Sequence, residues 1–210
     1  MSADKTSSSP DEQTTDTESR GGVRLAVLLP LLIFLGIAGF FVWGLVKGDP
    51  RHLPSVLIGK MAPQFDLPPL AGITGPDGRQ VPGLSSADLK TPGVKMLSFF
   101  ASWCTGCRAE HPFLMELARK KVIPIVGIAY KDPHEKSLAW LRELGNPYGR
   151  IGVDRKGRTG IDFGVYGIPE SFFINSEGRI IYKYIGPLDA RAWRTIVTPR
   201  LQEAIKKYGK

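Results

Sequence analysis

Cysteine is scarce in this sequence: its 210 residues contain two, Cys104 and Cys107, beside three histidines. A bridge between two cysteines so close in sequence gains roughly 2 kcal/mol from loop entropy, against about 3 for a fifteen-residue loop, so stabilisation alone does not explain the pair. Long basic runs are also missing. The formal charge is +8, with three Lys/Arg against five Asp/Glu up to residue 46 and 25 against 15 beyond it. No stretch holds five or more Lys/Arg and none interleaves them with aromatics, which argues against nucleic-acid binding and for a solvated basic surface. Internal repeats are absent. Gly157, Gly160 and Gly164 lack the strand and spacing of a phosphate-binding loop and read as turns. Nothing implies a bound cofactor. The length allows one folded domain with appendages, not two domains beside a membrane segment.

Residues 1–22, rich in Ser, Thr, Asp and Glu and ending in Gly21-Gly22, read as a disordered tail. From Leu25 to Val46 no residue is charged, and at about 1.5 Å per residue this run matches the roughly 30 Å hydrocarbon layer of a bilayer. Pro30, Gly36, Gly39 and Gly44 are tolerated in such a helix, and Trp43 suits an interface. The run exceeds the usual apolar core of a signal peptide, and no Ala-x-Ala site follows. An uncleaved anchor over 23–46 is therefore expected, then a Pro/Gly-containing tether over 47–63 and a globular domain over 64–210. Arg20 and Arg24 before the span, against Lys47, Arg51 and Lys60 after it, leave its orientation undecided by charge.

Within the domain, strands are expected at Val94–Phe100, Ile123–Ala129, Ser171–Asn175 and Arg179–Ile185. The last two, joined by Ser176-Glu177-Gly178, read as a hairpin. Helices are expected over Cys104–Lys120, after the Asp132-Pro133 start signal, and over Asp189–Tyr208. Leu138, Leu141 and Leu144 share one face of the second. Trp140, Phe163, Phe172 and Trp193 read as core.

The chemistry concentrates in Phe99-Phe100-Ala101-Ser102-Trp103-Cys104-Thr105-Gly106-Cys107-Arg108. An apolar strand running into a Cys-x-x-Cys that opens a helix places the first sulfur beside the unpaired N–H groups of the first turn, which favour a thiolate. Thiolate is the species that attacks a disulfide. Cys104 is then the attacking sulfur, and Cys107, one turn on, the resolving thiol.

Trp103-Cys104-Thr105-Gly106-Cys107-Arg108-Ala109-Glu110-His111-Pro112 resembles the cytochrome c biogenesis thioredoxins called CcmG or DsbE, relatives of TlpA. So do Tyr130-Lys131-Asp132, Trp140-Leu141-Arg142-Glu143-Leu144-Gly145-Asn146-Pro147-Tyr148 and Phe163-Gly164-Val165-Tyr166-Gly167-Ile168-Pro169-Glu170. The resemblance covers roughly residues 25–208. It implies an α/β thioredoxin-like fold with a central insertion, preceded by one N-terminal transmembrane helix. It further implies a single-pass protein of the bacterial inner membrane, its tail cytoplasmic and its domain periplasmic. The implied activity is reduction of the haem-attachment cysteines of apocytochrome c, with electrons from a transmembrane reductase of the DsbD or CcdA type.

The same resemblance makes Pro169 the cis-proline facing the redox pair, Trp103, Ile168 and Pro169 a client-binding surface, and Glu110 and Glu170 acidic residues of the active site. A carboxylate near the dithiol opposes a thiolate by like-charge repulsion. The sequence departs from the family pattern in two places. Thr105-Gly106 stands where Pro-Thr is common. Ser98, six residues before Cys104, stands where thioredoxins proper carry a buried Asp, and it cannot serve as the same proton acceptor.

Two sulfurs at a helix end run this chemistry in either direction according to potential, so an oxidase or isomerase stays open. So does a copper chaperone binding through Cys104, Cys107 and His111, although Pro112 is expected to kink the helix there. His52 and His134, in the tether and at a helix start, offer such a site no obvious further ligand.

Overall fold

A computed structural model describes residues 22–47, 56–75 and 78–209, and the chain divides into two compact units between Asp49 and Pro50. The first unit is helix α1, Gly22–Lys47, which covers the expected anchor and contains Pro30. Its large apolar side chains from Leu28 to Trp43 are exposed on every side. Among the described residues no helix is long and apolar enough to cross a membrane. The tail through residue 21 and tether residues 48–55 lie outside the described residues.

The second unit is built on a five-stranded sheet in the order β5-β4-β3-β6-β7. Strand β3 (Lys95–Phe100) lies at the centre, parallel to β4 (Ile125–Tyr130) and antiparallel to β6 (Glu170–Ile174). Strand β5 (Ile151–Asp154) runs parallel to β4, and β7 (Ile180–Ile185) completes the expected hairpin with β6. Every residue of β3 is buried, because both faces of the sheet are covered; such a strand reads as a largely apolar run, here interrupted by Lys95 and Ser98.

Alternation along β3 divides the core. Met96 and Phe100 face a layer formed with α2 (Thr105–Arg119), α3 (His134–Leu144) and the C-terminal helix, which supply Leu114, Leu117, Trp140, Leu141 and Leu201. Leu97 and Phe99 face a second layer with Ile128, Phe163 and Phe172. There the rings of Phe99, Phe163 and Phe172 meet pairwise at 5.2–5.7 Å, each burial worth about 1.5–3 kcal/mol. In the first layer Tyr148 stacks on Phe100 at 4.7 Å. Gly127 makes room for it, since a Cβ there would meet Phe100 at 2.8 Å and Tyr148 at 2.9 Å.

The β5 edge is covered and the start of β7 is paired, which shortens the open ladders available for intermolecular pairing. A two-stranded ribbon, β1 (Asp66–Leu67) with β2 (Leu84–Ser85), lies along β5, where Val153 N–H donates to Pro68 O and Ile151 N–H to Pro82 O. At the other edge Gly59 N–H donates to Ile180 O and Ile180 N–H to Lys60 O. Gly59 and Lys60 belong to the stretch expected as tether.

The ribbon, β5 and the short helix α4 (Arg158–Asp162) are additions to the elements expected from sequence. The single C-terminal helix expected over 189–208 is interrupted: α5 (Ala190–Ala192) passes through a π-turn at Trp193–Val197 into α6 (Thr198–Tyr208). Pro199 has no N–H to donate back to Thr195, which loosens the ladder at that point.

Candidate active site

The redox pair sits where β3 hands over to α2. Cys104 is the N-cap, in extended conformation (φ −87°, ψ 108°), and the Cys107 N–H donates to its sulfur at 3.0 Å. A sulfur held this way takes the position of a capping oxygen, so the helix end stabilises negative charge on Cys104 more than on Cys107. The two residues are joined as a disulfide with Cα atoms 5.2 Å apart. Cys104 keeps 5% of its surface and Cys107 1%, so an incoming sulfur meets Cys104 first.

The loop before the pair is pinned from the turn that follows β4. Asp132, fully buried, accepts the Ser102 N–H and the Ser102 hydroxyl, both at 2.8 Å, as well as the Ser137 hydroxyl from α3. The Trp103 indole N–H donates to the carbonyl of Lys131, a residue with φ of 48°. Trp103 itself remains exposed beside Cys104.

From the other side comes the loop ending in Ile168-Pro169, whose peptide bond is cis. The Ile168 carbonyl oxygen lies 3.4 Å from the Cys104 sulfur, where it can accept the thiol proton of the reduced state. Close approach here depends on Gly106: a Cβ would fall 2.8 Å from Pro169 Cδ and 3.2 Å from Pro187 Cγ. The glycine that departs from the family pattern is thus the residue against which both prolines close.

Glu110 follows Cys107 by one helical turn and is 1% exposed. Its Oε2 accepts the Leu188 N–H at 3.0 Å, and the Ser98 hydroxyl lies beside the carboxyl. Burial pushes its pKa up to about 8, against the smaller opposing effects of Leu188 and Ser98. At neutral pH Glu110 is therefore a neutral acid, and the like-charge repulsion expected of a carboxylate beside the dithiol does not operate. The buried carboxyl absent at Ser98 is supplied from α2.

Glu170 points elsewhere. It shares the β6 face of Phe172, with the second core layer, and its Oε2 lies 2.8 Å from the Lys183 ammonium in a fully buried ion pair. Burial raises its pKa, while Lys183 and the backbone N–H groups of Tyr166 and Gly167 act in the opposite direction. Glu170 thus borders the proline loop from the second core layer.

His111 is also buried, with Nε2 3.1 Å from the Gly145 carbonyl oxygen and its ring edge-on to Trp140 at 4.5 Å. Burial lowers its pKa and favours neutral imidazole. Helix α2 runs unbroken through Pro112, and His111 is engaged with the end of α3 rather than with the sulfurs. Among the described residues no group of three His, Cys, Asp or Glu is placed to hold a metal ion.

The Redoxin family profile matches residues 70–197. A thiol:disulfide interchange protein DsbE from Escherichia coli K12 is 40% identical over 190 residues, covering 88% of this chain and 97% of the relative. The Pseudomonas aeruginosa DsbE is 42% identical over 182 residues, covering 87% and 96%. The chain belongs to the DsbE family of thiol:disulfide interchange proteins. As a DsbE-family protein it is a disulfide oxidoreductase of thioredoxin-like fold. Among solved structures, a Chlorobium tepidum protein assigned as a DsbE is similar at a TM-score of 0.54 and 25% identity, covering 70% of this chain and 97% of its own.

Sequence reasoning did not single out Ser102, Lys183 or Pro187 in this DsbE-family site, and took Asp132 as part of a helix start and of a family-like stretch, without a role at the redox pair. Each acts across a long sequence gap; the Asp132–Ser102 contact spans 30 residues.

Proposed function

We propose that this chain is a reductase of periplasmic protein disulfides, anchored by α1 in the inner membrane, with the haem-attachment cysteines of apocytochrome c as clients. The observation that carries the reading is the Cys104 sulfur capping α2 under the Ile168 carbonyl, in a chain whose relatives are named thiol:disulfide interchange proteins. The Cys104 thiolate attacks one sulfur of the client disulfide, forming a mixed disulfide and releasing the client's other sulfur as thiolate. Cys107, as thiolate, then attacks the Cys104 sulfur, expelling the second client thiolate and leaving the Cys104–Cys107 disulfide. Two electrons have passed to the client. A transmembrane dithiol reductase of the DsbD or CcdA type returns the pair to its reduced state. Trp103, Ile168 and Pro169 offer the client a surface beside the attacking sulfur.

Direction follows from potential. Equilibration of the pair with dithiol buffers should place it nearer the thioredoxin value of about −270 mV than the strongly oxidising value of about −120 mV, and a result above roughly −150 mV would support an oxidase instead.

Location is tested separately. A domain that reduces disulfides is needed where they form, outside the reducing cytosol. A reporter active only outside the cytoplasm, fused after Lys210, should be active, and protease added to intact spheroplasts should digest the C-terminal domain. A silent reporter with a protected domain would rule out a periplasmic client.

A further inference from the structure

We infer that Lys183 is a positioning residue for the redox reaction, clamping together with Glu170 the loop that carries the Ile168 carbonyl to Cys104. The inference rests on the reading of Cys104 as the attacking sulfur.

Lys183 comes from β7, where it pairs in register with Phe172, and its side chain runs into the second core layer. Its ammonium lies 2.8 Å from Glu170 Oε2 and donates to the Gly164 carbonyl oxygen at 3.0 Å. It also sits over the rings of Tyr166, at 4.4 Å, and Phe172, at 5.0 Å. The amides of Tyr166 and Gly167 border the Glu170 carboxylate. The segment from Gly164 to Gly167 is thus held at a carbonyl, at two amides and at one aromatic face. Its continuation, Ile168-Pro169, is fixed by entry into β6 at Glu170.

A buried ion pair adds little stability over an apolar pair of equal volume, so its distinct contribution here is geometric. Everything it grips leads to one atom, the Ile168 oxygen 3.4 Å from the Cys104 sulfur. That oxygen accepts a proton from the thiol and repels the thiolate. Its distance therefore sets how easily Cys104 ionises and how squarely Ile168 meets a client strand.

The test uses the reduced full chain in detergent with Lys183→Met, Lys183→Arg and the double variant Glu170→Gln/Lys183→Met. Two quantities are read: the pH profile of Cys104 alkylation, and kcat/KM for a protein disulfide relative to a small aromatic disulfide. Lys183→Met should lower the alkylation midpoint by about one pH unit. It should reduce kcat/KM for the protein disulfide about tenfold, with a smaller loss for the small disulfide. Lys183→Arg keeps a cation able to reach Glu170 and should restore both quantities. If Lys183→Met does not fold, the double variant, which leaves no uncompensated buried charge, should show the same two shifts. An unchanged midpoint and an unchanged substrate ratio in a folded variant would overturn the clamp. Preferential alkylation of Cys107 in the wild-type protein would overturn the functional reading and the clamp with it.

Discussion

Cys104→Ser abolishes disulfide reduction, whereas Cys107→Ser leaves a protein that captures its clients as mixed disulfides. The asymmetry follows from where each sulfur lies. Cys104 accepts the Cys107 N–H at the open end of a 15-residue helix and keeps what surface the pair has. Serine there places at the same point a hydroxyl that does not ionise near neutral pH, so the first attack is lost and turnover falls to background. Serine at 107 leaves that attack intact and removes only the thiolate that would expel the client. A stoichiometric covalent complex should accumulate on non-reducing gels, dissolve on addition of dithiothreitol, and map to Cys104 by mass spectrometry. Equal alkylation rates for the two cysteines at pH 7, or trapping by the Cys104→Ser protein, would reverse the assignment.

That much was open to reading in the sequence, because strand, Cys-x-x-Cys and helix are contiguous. The buried strands β3 and β4 announce themselves as apolar runs, and Ser176-Glu177-Gly178 marks the hairpin turn. Segments whose partners are remote left no such trace. Strands β1 and β2 are two residues each, too short for any period, and form only because the edge of β5 needs covering. Strand β5, four residues amid glycines, is defined by its register with β4. At the site, the spacing of three put Glu110 on the face of Cys107, but its ionisation depends on burial beside Ser98, which requires β3 and α2 packed together. Glu170 differs in the same way. The resemblance made Glu170 an acidic residue of the active site; strand alternation puts its side chain on the face of Phe172, where Lys183 meets it from the neighbouring strand. Local chemistry is legible one element at a time, whereas ion pairs and buried acids belong to the register between elements.

The buried acid supports the prediction with the largest thermodynamic effect. Folding holds Glu110 at a pKa of about 8, raised from 4.5 chiefly by desolvation. A group whose pKa is higher in the folded state binds its proton more tightly there. Its contribution is thus intact below the unfolded pKa and is lost as pH rises through the folded one. For Glu110 the loss runs from pH 4.5 to about 8. In that window the protein should lose on the order of 1 kcal/mol of unfolding free energy per pH unit to this residue, reaching a few kcal/mol in all. Glu110→Gln keeps a carbonyl oxygen for the Leu188 N–H and an amide that can reach Ser98, but it cannot ionise. The substituted protein should therefore match the wild type closely near pH 4.5 and be the more stable of the two above pH 8. Urea unfolding of the two oxidised proteins, followed by tryptophan fluorescence at several pH values, measures the gap between them directly. Because every other titrating group is common to both chains, the gap isolates Glu110. A gap that stays constant from pH 4.5 to 8.5 would mean that Glu110 ionises as readily inside the fold as outside it, and the neutral buried acid on α2 would have to be abandoned.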